Sequence, residues 1–555
     1  MIDFRLTLCA GLLLGGALAA QPKQMPKTIP PTKVEKPSND PGPALGPNPT
    51  VSPAIPATPT LPDKPAVPKP PTTDPKGPEL ILPAPVPVPA PAKLAPPVPA
   101  GKPEPGPLAR LLNAADVRTQ LGLSTLKPAS AKLAALKIAV LDFGFEGCDP
   151  KKLAFPPGSV LVEQYPDEWV KANDLGDPTY QKGFEPGNTH GRLMAQSAWA
   201  VTGGDAQGPV FMLLNANGPT MFRRAVRYAV QQGAQIILFS GHFEGGGNGD
   251  GRGPINAVVD EAIRAGVIWV NAAGNHHGRV FNGPITPGKD GYVTFGPTQK
   301  TALSFTNRLD ENTFTITLTW NDYGAQEDAG TLKDLGLIVE TAAGKEIGRA
   351  DVKQIAGDRQ ADDGESRNPR ERLVLPNLGA GTYRVRVIAN AGTFEATDRL
   401  RVLLSPSRAD PYPHPTTEKP TDPVVFTDQT NAEELYPPAD NPRVLTVGES
   451  SAFSAAGPTA DRRLKPDLIL PLLPAKWSNG EVSAGTSYSA AYFAGVIATM
   501  KADRPDLRTN DVMAWLAELR KPHRAPVNNM RPRPAPVPWR TPTATELANL
   551  LAGRR

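Results

Sequence analysis

Four polar residues in this chain have the types that nucleophilic acyl transfer requires, and they occur in the order Asp142, His190, Asn275, Ser487. A serine hydroxyl becomes a useful nucleophile when an imidazole takes its proton. The imidazole keeps the right tautomer when a carboxylate accepts from its other nitrogen. An amide donor completes the set, because the tetrahedral intermediate carries an oxyanion that needs a hydrogen bond already in place. Each residue also has a plain structural role open to it: Asp and Asn close turns, Ser caps helices, and His sits on half-buried faces. The case therefore rests on the four together and on the elements that hold them.

Those elements are legible in the apolar pattern. Lys137-Ile138-Ala139-Val140-Leu141 is a continuous, β-branched run of buried-strand length that ends at Asp142. Similar runs occupy 210–214, 236–239, 267–270 and 444–447. Between the second and third, Phe222, Ala225, Val226, Ala229 and Val230 fall at helical spacing, with Arg223, Arg224 and Arg227 on the other face. Ile255, Val258, Val259, Ala262 and Ile263 repeat the pattern, and a long apolar helix runs from about Ser487 to Met500. Strands alternating with helices predict an α/β fold whose parallel sheet is covered by helices on both faces, with its site at the carboxyl ends of the strands. His190 opens an Ala- and Met-rich helix, Asn275 closes Ala272-Ala273-Gly274-Asn275, and Ser487 begins the long helix.

From Thr313 to Trp320 the pattern changes to strict period two, and 382–387 and 399–403 follow it, with Gly and Asp/Asn turns between. This predicts an antiparallel β-sandwich over 283–408, inserted into the parallel-sheet domain. The expected order is a signal peptide (1–20), a Pro-rich disordered linker (21–107), a helical lead-in (108–134), the first part of the α/β domain (135–282), the inserted sandwich (283–408), the second part (409–520) and a Pro/Arg-rich tail (521–555). Within the lead-in an amphipathic helix is expected from Leu108 to Leu121, which is too little chain for a folded inhibitory domain.

The order Asp, His, Ser is not that of the α/β-hydrolases, and Ser489 two residues after Ser487 rules out their G-x-S-x-G turn. Leu141 to Gly144, His190 to Ala195, Ala272 to Asn275 and Gly485 to Ala491 resemble the Asp, His-Gly-Thr, Ala-Ala-Gly-Asn and Gly-Thr-Ser-Met-Ala-x-Pro blocks of the subtilisin-like serine proteases. The stretches 438–448, 453–459 and 465–468 are also similar, so the resemblance spans about 135–282 and 430–520. It implies a serine endopeptidase in which Asp142 orients, His190 is general base and acid, Ser487 attacks and Asn275 donates to the oxyanion. Ser240 and Gly241 would line the substrate cleft, where the family commonly has Ser-Leu-Gly-Gly. Three departures shape the surroundings of these groups: Phe143 follows the Asp, Arg192 replaces Thr after His-Gly, and Ala491 stands at the family's Pro. The insert resembles the jelly-roll or prepeptidase-type sandwiches of secreted proteases at Leu318-Thr319-Trp320-Asn321-Asp322 and over 333–339, with Gly336 departing from their Asp-Leu-Asp-Leu.

The chemistry so implied needs no cofactor. Structural calcium is common in the family, and Asp362-Asp363-Gly364-Glu365 offers oxygen ligands without matching an EF-hand loop. His276 and His277 read as exposed loop histidines, Cys148 as a buried, inert thiol. The loop Gly245 to Gly251 reads equally as a flexible cleft wall or as a string of turns.

Composition bounds the rest. Of 66 prolines among 555 residues, 30 fall within 21–107, which forbids helix and sheet there and favours an extended spacer. Arg5, the apolar run Leu6 to Ala20 and Ala17-Leu18-Ala19 form an export signal too short for a confident span. They place the protein outside the cell or in the periplasm and envelope, with no transmembrane span once the signal is removed. Removal of Cys9 with the leader leaves Cys148 alone, so no internal disulfide forms. A net charge of +4 on this length gives no basis for nucleic-acid binding, which leaves protein or peptide substrates as partners and oligomeric state open. Two other readings stay open: a catalytically inactive binding or scaffold protein on the same fold at the cell envelope, and a cell-surface adhesion protein working through its stalk and sandwich. Loss of one oxyanion donor costs about 10²–10³-fold in turnover in subtilisin itself. Asn275→Ala is expected to lower kcat by a similar factor, and wild-type-like turnover would remove Asn275 from the set.

Overall fold

A computed structural model describes residues 110–124, 130–165, 184–185, 187–325, 329–357, 361–362, 364–407, 424–428, 430 and 432–520. The expected signal peptide, Pro-rich linker and Pro/Arg-rich tail lie outside the described residues. The chain begins with two short helices, α1 (Ala114–Gln120) and α2 (Ser130–Ala134), then alternates β1 (Lys137–Asp142), β2 (Val160–Val162), α3 (His190–Val201), β3 (Val210–Asn215), α4 (Gly218–Gln231), β4 (Ile236–Phe239), α5 (Pro254–Arg264) and β5 (Ile268–Ala272). The single helix expected from Leu108 to Leu121 is shorter, because Leu111 forms a β-bridge with Trp477 and residues 112–113 form a turn. Leu112 N donates to Lys476 O at 2.7 Å, Ser478 N to Arg110 O at 2.9 Å, and Lys476 N to Asn113 Oδ1 at 3.0 Å.

After β5 the chain builds antiparallel strands: β6 (Val280–Pro284), β7 (Leu303–Asn307), β8 (Asn312–Trp320), β9 (Asp334–Thr341), β10 (Glu346–Ala350), β11 (Lys353–Gln354), β12 (Glu365–Ser366), β13 (Arg370–Leu378), β14 (Gly381–Ala391), β15 (Arg399–Pro406) and β16 (Val424–Phe426). All pair antiparallel except β11 with β12, a short parallel pair. Two sheets, in orders β10-β9-β14-β7-β16 and β13-β8-β15-β6, face each other over one apolar cluster. Strands β6 and β16 reach beyond the span 283–408. On β8, Phe314, Ile316, Leu318 and Trp320 enter that cluster, while the intervening Thr315, Thr317 and Thr319 are buried as well. Period two normally marks a face open to water, but here the threonine face packs on the α/β domain. Thr317 Oγ1 and Ser405 Oγ donate to the two Glu244 oxygens at 2.6 and 3.1 Å.

The chain then returns with β17 (Leu445–Glu449), β18 (Leu468–Leu470), a hairpin β19 (Ala475–Lys476) and β20 (Val482–Ser483), and helices α6 (Thr486–Asp503) and α7 (Thr509–Arg520). Among the described residues the parallel sheet has seven strands in the order β18-β17-β5-β4-β1-β3-β2, so the antiparallel strands lie in the chain between two neighbours, β5 and β17. Alternate side chains of β1 show why both faces are apolar: Ile138 and Val140 join the core beneath α3 and α6, while Ala139 and Leu141 join that beneath α4 and α5. Arg223 and Arg224, on the polar side of α4, are themselves buried.

Helix α6 is buried from Thr486 to Ala502 and lies against α3. Their approach is close: a Cβ on Gly495 would stand 2.6 Å from Ala198 O and 2.7 Å from Val201 Cβ. Because α3 begins at His190 and α6 carries Ser487, this packing sets the spacing of the two. Gly495→Ala is expected to destabilise the domain by about 1–3 kcal/mol through overpacking, read as a lower urea midpoint at constant m-value.

Candidate active site

Strand β1 delivers Asp142, only 1% exposed, to the carboxyl edge of the sheet. The turn that follows takes one carboxylate oxygen: Phe143 N and Gly144 N donate to Oδ1 at 2.9 and 3.0 Å. The other, Oδ2, lies 2.8 Å from His190 Nδ1, so the imidazole is held in the tautomer that leaves Nε2 free to accept a proton. Asn188 Oδ1 accepts from the His190 backbone N–H at 2.8 Å. Glycine is required at the next position, since a Cβ on Gly191 would meet Asp142 Cβ at 2.5 Å and Phe145 Cζ at 2.6 Å. Phe143 lies parallel to the imidazole, with ring centroids 6.1 Å apart and planes 6° apart, so this departure from the family pattern forms a wall against the histidine.

A carboxylate missed by sequence reasoning completes the surroundings. Glu185 N donates to Phe143 O at 2.9 Å, and Asn188 Nδ2 donates to Glu185 Oε2 at 2.9 Å. Only its nearness to His190 in the chain hinted at it. Burial by itself would depress the His190 pKa, but the charge and hydrogen bond of Asp142 and the charge of Glu185 outweigh burial and hold it above the ordinary value of 6.5. Burial raises the Glu185 pKa, and Asp142 adds to the rise, against the lowering influence of Asn188 and His190.

The second half of the site is the start of α6. Thr486 N and Oγ1 both donate to Asn275 Oδ1, at 3.1 and 2.9 Å, and Gly274 N donates to Thr486 Oγ1 at 3.0 Å. An N–H can only donate, so this fixes which end of the Asn275 amide is oxygen and leaves Nδ2 as the outward donor. Ser487 Oγ donates to Ser240 O at 3.2 Å, and Ser240 Oγ donates to Ser487 O at the same distance. Gly241 O accepts from Asn271 Nδ2 at 3.1 Å. The expected residues thus gather into two hydrogen-bonded groups, Asp142 with His190, and Asn275 and Ser240 with the Thr486-Ser487 turn. Among the described residues no hydrogen bond joins His190 to Ser487.

The weaker candidates resolve differently. His276 is buried, not exposed: its Nε2 donates to Glu434 O at 2.7 Å, and its ring packs on His242 and Tyr436 with centroids 4.9 and 5.3 Å away. Burial, with His242 beside it, holds its pKa well below 6.5, so it is neutral. His277 keeps a partly exposed ring and pairs with Glu434 at 2.8 Å. The Cys148 thiol is buried, and burial pushes its pKa up to about 12, which leaves it an unreactive neutral thiol. The glycine loop is a packed connection: Asn248 Nδ2 donates to Tyr323 O at 3.0 Å and Gly251 N to Asp440 Oδ2 at 2.9 Å. Arg192 N donates to Gly144 O at 3.2 Å, and Ala491 is buried inside α6. Among the described residues no group of three or more His, Cys, Asp or Glu side chains is placed to hold a metal ion, and Glu365 pairs with Lys353 at 3.2 Å.

Residues 387–523 match the model of the subtilase family, peptidase S8, a span that contains Ser487 but none of Asp142, His190 and Asn275. Solved structures similar to this chain include the CspB protease of Clostridium perfringens, at 14% identity and a TM-score of 0.46, covering 80% of this chain and 100% of that one. The nisin leader peptidase NisP of Lactococcus lactis is similar at 13% identity and a TM-score of 0.34, covering 79% of this chain and 93% of that one. No curated protein matches. The matched span takes in β17, β18, α6 and α7 of the parallel-sheet domain. No described helix is long and apolar enough to cross a membrane.

His190 is expected to titrate above 6.5 when its ring resonances are followed by NMR. Glu185→Gln removes a negative charge that favours imidazolium, so the midpoint should fall; an unchanged midpoint would show that Glu185 is not felt at His190.

Proposed function

We propose that this protein is an exported serine endopeptidase that hydrolyses peptide bonds through an acyl-enzyme. The observation that carries the reading is the 2.8 Å Asp142–His190 hydrogen bond at the end of β1, with Asn275 tied to the turn that bears Ser487. In the reaction, Ser487 leaves its bond to the Ser240 carbonyl by rotation about χ1 and presents Oγ to His190 Nε2. His190 takes the proton as Oγ attacks the substrate carbonyl carbon, and Asp142 stabilises the imidazolium so formed. The oxyanion accepts from Asn275 Nδ2 and the Ser487 N–H at the positive end of α6. Collapse expels the amine, which takes the proton from His190. Water then repeats the sequence to free the acid and restore Ser487. Every proton has a named carrier, so the scheme uses no cofactor. Ser240 and Gly241 supply backbone groups beside the nucleophile for an extended substrate. Export rests on Arg5 and the apolar run Leu6 to Ala20.

A fluorophosphonate probe, which labels an activated serine, tests this directly. Folded protein is expected to be labelled and Ser487→Ala is not. Absence of labelling in folded wild type, with and without added calcium, would establish the catalytically silent binding protein instead.

A further inference from the structure

Three segments distant in the chain meet just behind Asn275. Glu434 is fully buried, and its carboxylate is spent on the residues that follow Asn275 and on the 453–457 segment. Oε2 accepts from His277 Nδ1 and from Ala456 N, each at 2.8 Å, and Oε1 accepts from Gly278 N at 3.3 Å. Its backbone takes part too: Glu434 O accepts from His276 Nε2 at 2.7 Å, and Glu434 N donates to Ala456 O at 3.0 Å. The 453–457 segment closes the circuit, since Ala455 N donates to Gly274 O at 2.9 Å and His277 N to Phe453 O at 3.1 Å. Residues 276, 277 and 278 are thereby fixed by one side chain and its own carbonyl, while Thr486 fixes Asn275 from the front.

Glu434 is itself anchored from the antiparallel sheets. Its neighbour Glu433, 4% exposed, receives Arg399 of β15 in a bidentate pair, Nη2 to Oε2 at 2.8 Å and Nε to Oε2 at 3.2 Å, with Nη2 also 3.0 Å from Oε1. Strand β15 also receives the loop's far end: Leu404 N donates to Arg279 O at 3.0 Å, and the Arg279 guanidinium donates to Asn275 O. A paired guanidinium fork holds one geometry, unlike a lysine point charge.

We propose that Glu434 is a positioning residue for the oxyanion donor Asn275, anchored by Arg399 of the antiparallel sheets through Glu433. The inference rests on the peptidase reading above and extends it to a group that touches neither substrate nor the reacting atoms. An oxyanion donor acts in the transition state and little in the ground state, so a displaced Asn275 shows in kcat and leaves KM nearly unchanged. Glu434→Ala leaves two backbone N–H groups and an imidazole without their acceptor. Glu434→Gln keeps one oxygen for two of the three donors, and Arg399→Gln loosens the clamp from outside.

The test is a double-mutant cycle on a quenched fluorescent peptide that the wild type cleaves, with melting temperature and circular dichroism recorded for each variant. Glu434→Ala is expected to lower kcat by about tenfold or more with KM within about twofold, Glu434→Gln and Arg399→Gln less so. In the Asn275→Ala background the same substitutions should cost less than about threefold further, because the group they position is gone. Losses that multiply equally in both backgrounds, or kcat unchanged in folded Glu434→Ala, would overturn the proposal. If Glu434→Ala does not fold, the Glu434→Gln and Arg399→Gln cycles decide by the same criterion. A wild type without peptidase activity or probe labelling overturns the peptidase reading and this one together; an active wild type with multiplicative losses overturns this one alone.

Discussion

The hydrogen bond from His190 to Asp142 sets the terms for the structure around it. A carboxylate with both oxygens in water would not discriminate among partners; here the turn after β1 consumes one oxygen and leaves the other for a single imidazole nitrogen. That arrangement requires the first turn of α3 to sit against the end of β1, which only a residue without a side chain permits at position 191. It requires α3 to run beside α6, which Gly495 permits. The sheet, the two helices and their small residues are consequences of bringing a carboxylate and an imidazole together at one edge.

The antiparallel strands bear on that edge more closely than their place between β5 and β17 implies. Only four residues separate Asn275 from Val280, where β6 begins. Beside a small apolar cluster of Val280, Leu403 and Tyr436, the two regions meet through polar pairs: Glu244 with Thr317 and Ser405, Arg399 with Glu433, and Arg401 with Leu435 O and the Tyr436 ring. Such pairs fix direction where an apolar seam tolerates sliding. The sheets therefore meet the α/β region in a fixed register.

How much of this the sequence revealed follows from which interactions are local. Strands β1, β3, β4, β5 and β17 were readable because a strand covered on both faces must be apolar throughout, and α4 and α5 because each has one apolar stripe. The three-residue strands β2 and β18 are too short for any period to register. The four polar residues were readable because each sits where an element begins or ends. The threonine face of β8 could not be placed from its pattern, since alternation does not say whether the polar side meets water or another polar surface. His276 misled for the same reason: a loop histidine looks exposed until the segment around Glu434 returns from more than 150 positions away. Glu185 and Glu434 belong to no motif, because much of what they bond is backbone, which has no residue type to recognise: Phe143 O for Glu185, and Ala456 N and Gly278 N for Glu434.

Residues 110–113 have a bearing on the hairpin that precedes α6. Leu111 forms a single antiparallel bridge, to Trp477, with the hairpin that leads, through Ser483 and the Tyr488 ring, into the turn of Ser487: Trp477 packs on Tyr488, and Ser483 Oγ is hydrogen-bonded to Tyr488 OH at 2.5 Å. Residues 110–113 are thus bonded directly to the hairpin that precedes the turn of Ser487. Removal of residues 110–113 would leave backbone groups of Lys476 and Ser478 without their partners, in the hairpin that leads to Ser487.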